Sequence, residues 1–197
     1  DFDASLARKG IRFVAYGGKN RAAQVTHRMD GKKGYAVGFE GLVSYLHDLL
    51  PKNEHIGAAL RESHPLFPVL AIRELVANAL IHQDMTITGA GPQIELFEDR
   101  LEISNPGAPL VKPERMIDLP PRSRNEALAD RMRRMRLCEE QGSGLDKVVQ
   151  ACEVYQLPPP LLRAEDHSFQ AVLYGPRSFA EMTPEERIRA CYFHSIL

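Results

Sequence analysis

Residues 68–84 (PVLAIRELVANALIHQD) constrain the fold more than any other part of the chain. At 3.6 residues per turn their apolar side chains cover most of the circumference, which predicts a buried helix. Glu74, Asn78 and His82 recur at every fourth position and therefore share one narrow polar stripe. Polar groups on a buried helix must find hydrogen-bond partners. The stripe therefore faces either other protein groups or a ligand, and the helix pattern alone leaves both open.

Composition and charge narrow the class of protein. The 197 residues are 44% hydrophobic and 26% charged with a net charge of −1, which is typical of one globular domain. Without a global basic field, any contact with DNA must be local or belong to other domains. Cys138, Cys152 and Cys191 have no CxxC spacing, which argues against a metal site and fits reduced thiols. Because no apolar run reaches membrane-spanning length, we expect a cytoplasmic protein.

Both ends of the sequence have the character of an excised segment. The chain opens at Asp1, and near its end Thr183, Pro184 and Glu186 form the signature of a new helix with a capping box. We therefore expect a longer polypeptide around these residues.

Hydrophobic alternation and periodicity predict the remaining elements. The predicted strands and helices, in chain order, are strands at 11–17 and 22–29, a helix at 39–50, a hairpin at 93–107 with its turn at Asp99-Arg100, helices at 125–136 and from Gly142, and a closing strand at 168–175. Residues 54–67 fit either a strand or an extended linker.

Residues 108–141 combine four prolines with the most cationic part of the chain. The segment is compatible with a lid over an anionic ligand, with a patch that faces DNA, or with a solvated helix face balanced by acidic residues. Its arginines are Arg122, Arg124, Arg131, Arg133, Arg134 and Arg136.

Two glycine turns flank this segment. Asn105-Pro106-Gly107 ends the predicted hairpin, and Gly142-Ser143-Gly144 opens a helix. A glycine turn at a helix N-terminus exposes backbone N–H groups at the positive end of the helix dipole, where phosphate binds well. Either turn alone is weak evidence, because many such turns only serve packing.

The combination of these segments is more specific than any one of them. PVLAIRELVANALIHQD, IELFEDRLEISNPG, RSRNEALA and EEQGSGLDKV together resemble the GHKL ATPase superfamily. The resemblance is closer to the ATPase-like domain that follows the Schlafen-type AlbA domain in bacterial RecG-related transcriptional regulators. It covers about residues 55–175.

The resemblance implies the fold and a domain division. The fold is α+β, a Bergerat or GHKL-like two-layer sandwich whose mixed, mostly antiparallel sheet carries helices on one face. Residues 1–50 would be the C-terminal remnant of an AlbA-like domain, 51–178 the GHKL-like ATPase domain, and 179–197 the start of a truncated winged-helix region.

The resemblance also implies roles for individual residues. Glu74 matches the general base that orients the attacking water, and Asn78 matches the Mg²⁺ ligand that bridges to the phosphates of ATP. The other positions implied to bind the nucleotide are His82, Asp84, Asn105, Gly107, Gly142, Ser143 and Gly144.

One departure from the family pattern concerns adenine. Asn105, or alternatively Ser104, stands where the family uses an aspartate to accept a hydrogen bond from the adenine amino group, and an asparagine amide must be oriented to do the same. We therefore expect weak or altered binding of ATP and slow hydrolysis at most.

Three functions remain open from the sequence. The first is an ATP-binding, slowly hydrolysing regulatory module of a DNA-associated transcriptional regulator, in which nucleotide orders the lid and changes dimer or domain contacts. The second is a degenerate scaffold or dimerisation domain without nucleotide, and the third is a site for another anionic ligand. DNA would be reached through neighbouring domains, and no membrane partner is expected. The sequence has no Walker A P-loop, so we expect no helicase motor in this chain.

Overall fold

A computed structural model describes residues 6–50, 52–56, 61–120, 122–138 and 143–197. Its main feature is an open six-stranded sheet with the strand order β2-β1-β5-β6-β8-β7. These strands are β1 (Arg12–Tyr16), β2 (Val25–Asp30), β5 (Gln93–Leu96), β6 (Arg100–Pro106), β7 (Leu161–Glu165) and β8 (Ser168–Tyr174). A separate antiparallel hairpin consists of β3 (Lys52–Ile56) and β4 (Arg61–Pro65).

Strand pairing makes the sheet mixed but mostly antiparallel. Only β1 and β5 run parallel among the described strand pairs, and the other pairs in this sheet are antiparallel. The predicted hairpin is confirmed, with Ile94 opposite Ile103 and all of its inward apolar residues buried. Its tight turn lies at Glu98-Asp99, one residue earlier than predicted, because Phe97 N–H donates to the carbonyl of Arg100 at 2.9 Å.

Five α-helices complete the described fold. They are α1 (Tyr35–Leu49), α2 (Val69–His82), α3 (Glu126–Arg134), α4 (Gly144–Val154) and α5 (Pro184–Ile196). Helix α2 packs between the sheet, α1 and α4, and nine of its 14 residues are buried. The predicted buried helix is therefore confirmed, and the α+β sandwich with a mixed open sheet is the architecture of the chain.

Two segments differ in extent from the predictions. Of residues 54–67, which fitted a strand or a linker, 54–56 belong to β3 and 61–65 to β4 of the hairpin. Helix α1 begins at Tyr35 rather than at 39, because the carbonyl of Gly34 already accepts hydrogen bonds from the N–H groups of Val37 and Gly38.

The N-terminal elements share the core of the rest of the chain. Strands β1 and β2 belong to the same sheet as β5 to β8, and Phe13 and Phe39 lie in the same hydrophobic cluster as α2. The boundary at residue 50 thus does not separate two hydrophobic cores. Two domain assignments stay predictions. They are the derivation of residues 1–50 from an AlbA-like domain and that of residues 179–197 from a winged-helix region.

Helix α5 begins as its sequence predicts. The Thr183 hydroxyl accepts from Glu186 N–H, and the Glu186 carboxylate accepts from Thr183 N–H, which closes the capping box. Arg177 binds the buried Glu186 at 2.8 Å, and Phe193 packs inward. None of the helices in the described part of the chain has the length and apolar character that a membrane span requires.

Candidate functional site

A cavity of about 230 Å³ lies along the polar stripe of α2. Glu74, Asn78 and His82 all line it, as the four-residue spacing predicts. Its other walls come from the end of β6, the segment that follows β6, α3 and the start of α4. The turn that ends at Gly107 and the start of α4, both predicted to lie beside a ligand, thus meet the polar stripe at one cavity.

Glu74 lies directly against the N-terminus of α4. The side chain is buried, and a Cβ built on Gly144 would come within 2.6 Å of its Oε2 atom. A side chain at position 144 would therefore displace the carboxylate. Gly144 lines the same cavity, so the first turn of α4 and the carboxylate of Glu74 share one wall.

Asn78 lies one helical turn beyond Glu74 and lines the same cavity. Its side chain makes no hydrogen bond to any residue that the structure describes. The amide oxygen of Asn78 can therefore coordinate a hard cation, and its N–H groups can donate to a ligand.

His82 closes the stripe at the other end. Burial lowers the pKa of its imidazole, and the nearby positive charge of Arg124 lowers that pKa further. The imidazole is consequently neutral at neutral pH and carries one donor and one acceptor nitrogen into the cavity.

The Asn105-Pro106-Gly107 turn forms the next part of the wall. Gly107 has φ +102°, and an added Cβ would lie 2.8 Å from the Cβ of Asp84. Asn105 is buried at the cavity edge, and its Nδ2 donates to the carbonyl of Pro106 at 3.2 Å. This orientation leaves Asn105 Oδ1 as the acceptor, which is the role an adenine amino group requires.

Asp84 and Ser143 are predicted site residues that do not line the cavity. The Asp84 carboxylate accepts from the Thr86 hydroxyl at 2.6 Å and faces Arg124 at 3.4 Å, which places it behind the Gly107 turn. Ser143 is the N-cap residue of α4 and makes no side-chain cap. Gly142 lies outside the described residues, so its predicted role stays a prediction.

Three of the six arginines in the cationic segment reach the cavity, namely Arg122, Arg124 and Arg133. Arg134 instead pairs with Asp130 at 3.0 Å on the exposed side of α3. The difference follows from the helical period, because Arg133 lies one turn after Ala129, which also lines the cavity, whereas Arg134 lies one turn after Asp130. The segment is therefore neither wholly a lid nor wholly a solvated face.

Three residues at the site have no role that the sequence patterns predict, although two of them, Ser123 and Asn125, lie in the segment RSRNEALA. Lys9 is buried and donates from Nζ to the carbonyls of Asp84 and Ile87, which fixes the loop after α2. Ser123 lines the cavity with a buried hydroxyl that has no partner among the described residues. Asn125 donates to the end of α2. Sequence separation hides such contacts, since Lys9 and Asp84 are 75 positions apart.

Comparison with known proteins agrees with this arrangement. Residues 89–173 match the family model described as "Putative ATP-dependent DNA helicase recG C-terminal". The matched segment spans β5 to β8 with α3 and α4, and begins after α2, so the roles of Glu74 and Asn78 stay predictions. The search of curated proteins found no match.

A crystal structure of the DIP2311 protein from Corynebacterium diphtheriae is similar in fold. It superposes with a TM-score of 0.74 at 24% sequence identity, over 95% of this chain and 40% of that chain. This chain therefore spans less than half the length of that protein, and the likeness concerns the fold alone. Over residues 89–173, which are less than half of the chain, the sequence is thus similar to the putative RecG C-terminal family, and the mixed open sheet is consistent with a GHKL-like ATPase fold.

Proposed function

We propose that the cavity beside α2 binds ATP with Mg²⁺, and that the domain is a nucleotide-dependent regulatory module of a DNA-associated protein. The observation that carries the proposal is the meeting of Glu74 and Asn78 with the Gly107 turn and the start of α4 in one cavity. A carboxylate, an amide and a helix N-terminus are the groups that a Mg²⁺–triphosphate needs around it.

Positive charge at the cavity favours an anionic ligand. Arg122, Arg124 and Arg133 line it, and guanidinium groups bind phosphate oxygens in bidentate fashion. The backbone N–H groups at the start of α4 add the positive end of a helix dipole beside Glu74. This charge supports phosphate binding over binding of a neutral metabolite.

The residues present fit a Mg²⁺ ion that arrives with its nucleotide. The described residues contain no group of three or more His, Cys, Asp or Glu side chains that could hold a metal alone. Mg²⁺ commonly takes one or two protein ligands and completes its shell with phosphates and water, so Asn78 Oδ1 suffices as an anchor. The ion would neutralise phosphate charge, and Glu74 would accept a proton from the attacking water.

The volume of the cavity bears on how ATP fits. About 230 Å³ is less than the roughly 300–1,000 Å³ typical of small-molecule sites, so a whole nucleotide requires the segment after Gly107 to shift outward. Such a shift is a natural route from nucleotide binding to regulation. DNA contact through neighbouring domains and homodimerisation belong to this proposal as its downstream steps.

The second candidate is a scaffold domain that has lost the nucleotide. The small cavity and an asparagine at the adenine-reading position favour it. In that case the chain would contribute packing or dimerisation to its neighbours, and the arginines would only balance local acidic residues.

Calorimetric titration separates the two candidates. ATP with Mg²⁺ is titrated into the wild type, Asn78→Ala and Glu74→Ala, with Asn20→Ala and Glu98→Ala as controls, each on an exposed connection between two strands. We expect saturable binding that weakens at least about tenfold in Asn78→Ala, because the ion loses its protein ligand. Glu74→Ala should keep binding and lose hydrolysis.

A result without heat or thermal shift at millimolar ATP would overturn the nucleotide proposal and leave the scaffold. Equal losses in the control variants would show that the effect is not specific to the cavity. Size-exclusion chromatography with and without ATP then tests whether binding changes the oligomeric state.

A further inference from the structure

The segment that covers the cavity has its two ends close together. From here on, the lid means residues 108–120 and 122–124, the described part of the 108–141 segment that precedes Asn125. Arg124, its last residue, donates from Nη2 to the carbonyl of Ala108, its first residue. The same guanidinium faces the carboxylate of Asp84 at 3.4 Å. One side chain thus joins both ends of the lid to the loop that follows α2.

The next residue attaches this base to α2 itself. Asn125 Nδ2 donates to the carbonyl of Ile81 at 2.7 Å and to that of Gln83 at 2.8 Å. The last carbonyls of a helix lack intrahelical partners, so Asn125 satisfies groups at the C-terminal end of α2. Since α2 carries Glu74, Asn78 and His82, the lid base is held in register with the polar stripe.

The orientation of Asn125 is unusual for its position. Asn125 is the N-cap residue of α3, where an asparagine ordinarily accepts a hydrogen bond from an N–H group of its own helix. Here the side chain makes no such cap and donates to α2 instead. Its contacts therefore serve the junction between the lid and α2 rather than the start of α3.

We propose that Arg124 and Asn125 form a clamp that holds the lid base on the end of α2 and sets the lid's position over the cavity. Both are positioning residues, since they act through the lid and α2. The part of this inference that concerns a nucleotide rests on the proposed function above. The clamp itself is a property of the protein without ligand.

The clamp has a consequence for ligand release. A nucleotide larger than the closed cavity displaces the lid between its two ends, while the clamped base keeps the lid attached to α2. Breaking the clamp frees the base as well, so the ligand loses its cover and leaves faster. Association should change less, because the open lid does not block entry.

The variant Asn125→Asp isolates this contact. Aspartate has nearly the same shape, removes both N–H donors and places a carboxylate against two carbonyls, yet it can cap α3. Asn20→Asp is the matched control, since the Asn20 side chain accepts from Ala22 N–H on an exposed turn and does not line the cavity. Arg124→Lys, which loses the planar fork, serves as a second variant should Asn125→Asp fail to fold.

Two measurements test the clamp. Amide hydrogen exchange of peptides from residues 108–120 is recorded without ligand, and dissociation of a fluorescent ATP analogue is timed with Mg²⁺. In Asn125→Asp we expect lid exchange and dissociation about tenfold faster, from the loss of two partly buried hydrogen bonds, with α3 exchange unchanged or slower. A merely structural role would raise exchange in α3 and the lid together.

The outcomes distinguish the two proposals. Faster lid exchange in Asn125→Asp with no nucleotide binding by the wild type supports the clamp and defeats the proposed function. Lid exchange equal to that of Asn20→Asp overturns the clamp, whatever the nucleotide does. Binding by the wild type with unchanged release from Asn125→Asp also overturns it.

Discussion

Gly107 shows at the scale of one residue how the turn beside the cavity constrains the sequence. Its φ of +102° lies in a region that residues with a side chain rarely adopt. An added Cβ would also lie 3.2 Å from the backbone nitrogen of Asp84, which donates to the carbonyl of Pro106. Backbone that is held by a hydrogen bond cannot yield as the tip of a flexible side chain can. Gly107 is thus required twice, by conformation and by space.

Gly107→Ala should lower the free energy of unfolding by about 2–3 kcal/mol, because strain in φ and the contact with Asp84 add together. Gly41→Ala is the matched control, since Gly41 lies within α1 and a Cβ there meets nothing within 4 Å. Alanine in that open helical position should stabilise by about 0.5–1 kcal/mol. Urea unfolding of both variants measures the difference, and a shift of the same sign in both would contradict this account.

Single residues also show how far the sequence predicts the site. The i, i+4, i+8 spacing was sufficient to bring Glu74, Asn78 and His82 to one cavity, because all three lie on one continuous helix. Asp84 follows the end of α2, and Gln83 is already extended with ψ 144°, so the helical spacing no longer applies to Asp84. Its carboxylate consequently turns to Thr86 and Arg124 rather than to the cavity.

At the scale of elements, the outer face of the sheet is held by a loop from another part of the chain. Glu95 lies opposite Glu102 across the β5–β6 pair, and two carboxylates in register repel each other. Arg21, in the connection between β1 and β2, binds both oxygens of the buried Glu95 at 2.7 and 2.6 Å. Arg100 binds Glu102 at 2.6 Å on the next strand. The β1–β2 connection thus provides the charge that this pair of strands needs.

Arg21→Ala should therefore destabilise the protein by about 2 kcal/mol, because Glu95 stays buried and loses its bidentate partner. Arg28→Ala is the control on the neighbouring strand β2. Its ion pair with Asp30 is 3.6 Å long with both side chains more than half exposed, so we expect a change below about 0.5 kcal/mol. Chemical denaturation of the two variants decides the matter. Equal small effects would mean that Glu95 is not held by Arg21.

The same elements show why sequence patterns predict the positions of strands better than the burial of side chains on their outer faces. Alternation in 93–107 identified β5, β6 and the inward side chains Ile94, Leu96, Leu101 and Ile103. The same alternation assigns Glu95 to solvent, yet only 1% of Glu95 is exposed. Its burial depends on a turn more than 70 residues away in sequence, which no local pattern contains.

At the scale of the whole molecule, the polar stripe inside the core makes stability depend on pH. The folded protein lowers the pKa of His82 below its ordinary value of 6.5, first through burial and then through the charge of Arg124. The unfolded chain therefore binds a proton at His82 more readily than the folded chain does. By linkage, the contribution of His82 to stability is complete above about pH 6.5 and is lost as the pH falls toward its lower folded pKa.

His82→Asn should consequently flatten the pH dependence of the free energy of unfolding between pH 7 and pH 5. The control is His194→Asn, since His194 is highly exposed on α5 and forms only a surface contact with Glu153 at 3.3 Å. We expect the wild type and the control to lose stability in parallel on acidification, and the His82 variant to lose less. Thermal or urea unfolding at half-unit pH steps gives the three curves. If the His82 variant followed the wild type throughout, protonation of His82 would not affect stability, and the neutral imidazole inferred for the cavity would be wrong.

An anionic ligand beside Arg124 should offset part of the positive charge that lowers the pKa of His82. The stability of the wild type measured with saturating ATP and Mg²⁺ should therefore increase most at the acidic end of the pH range.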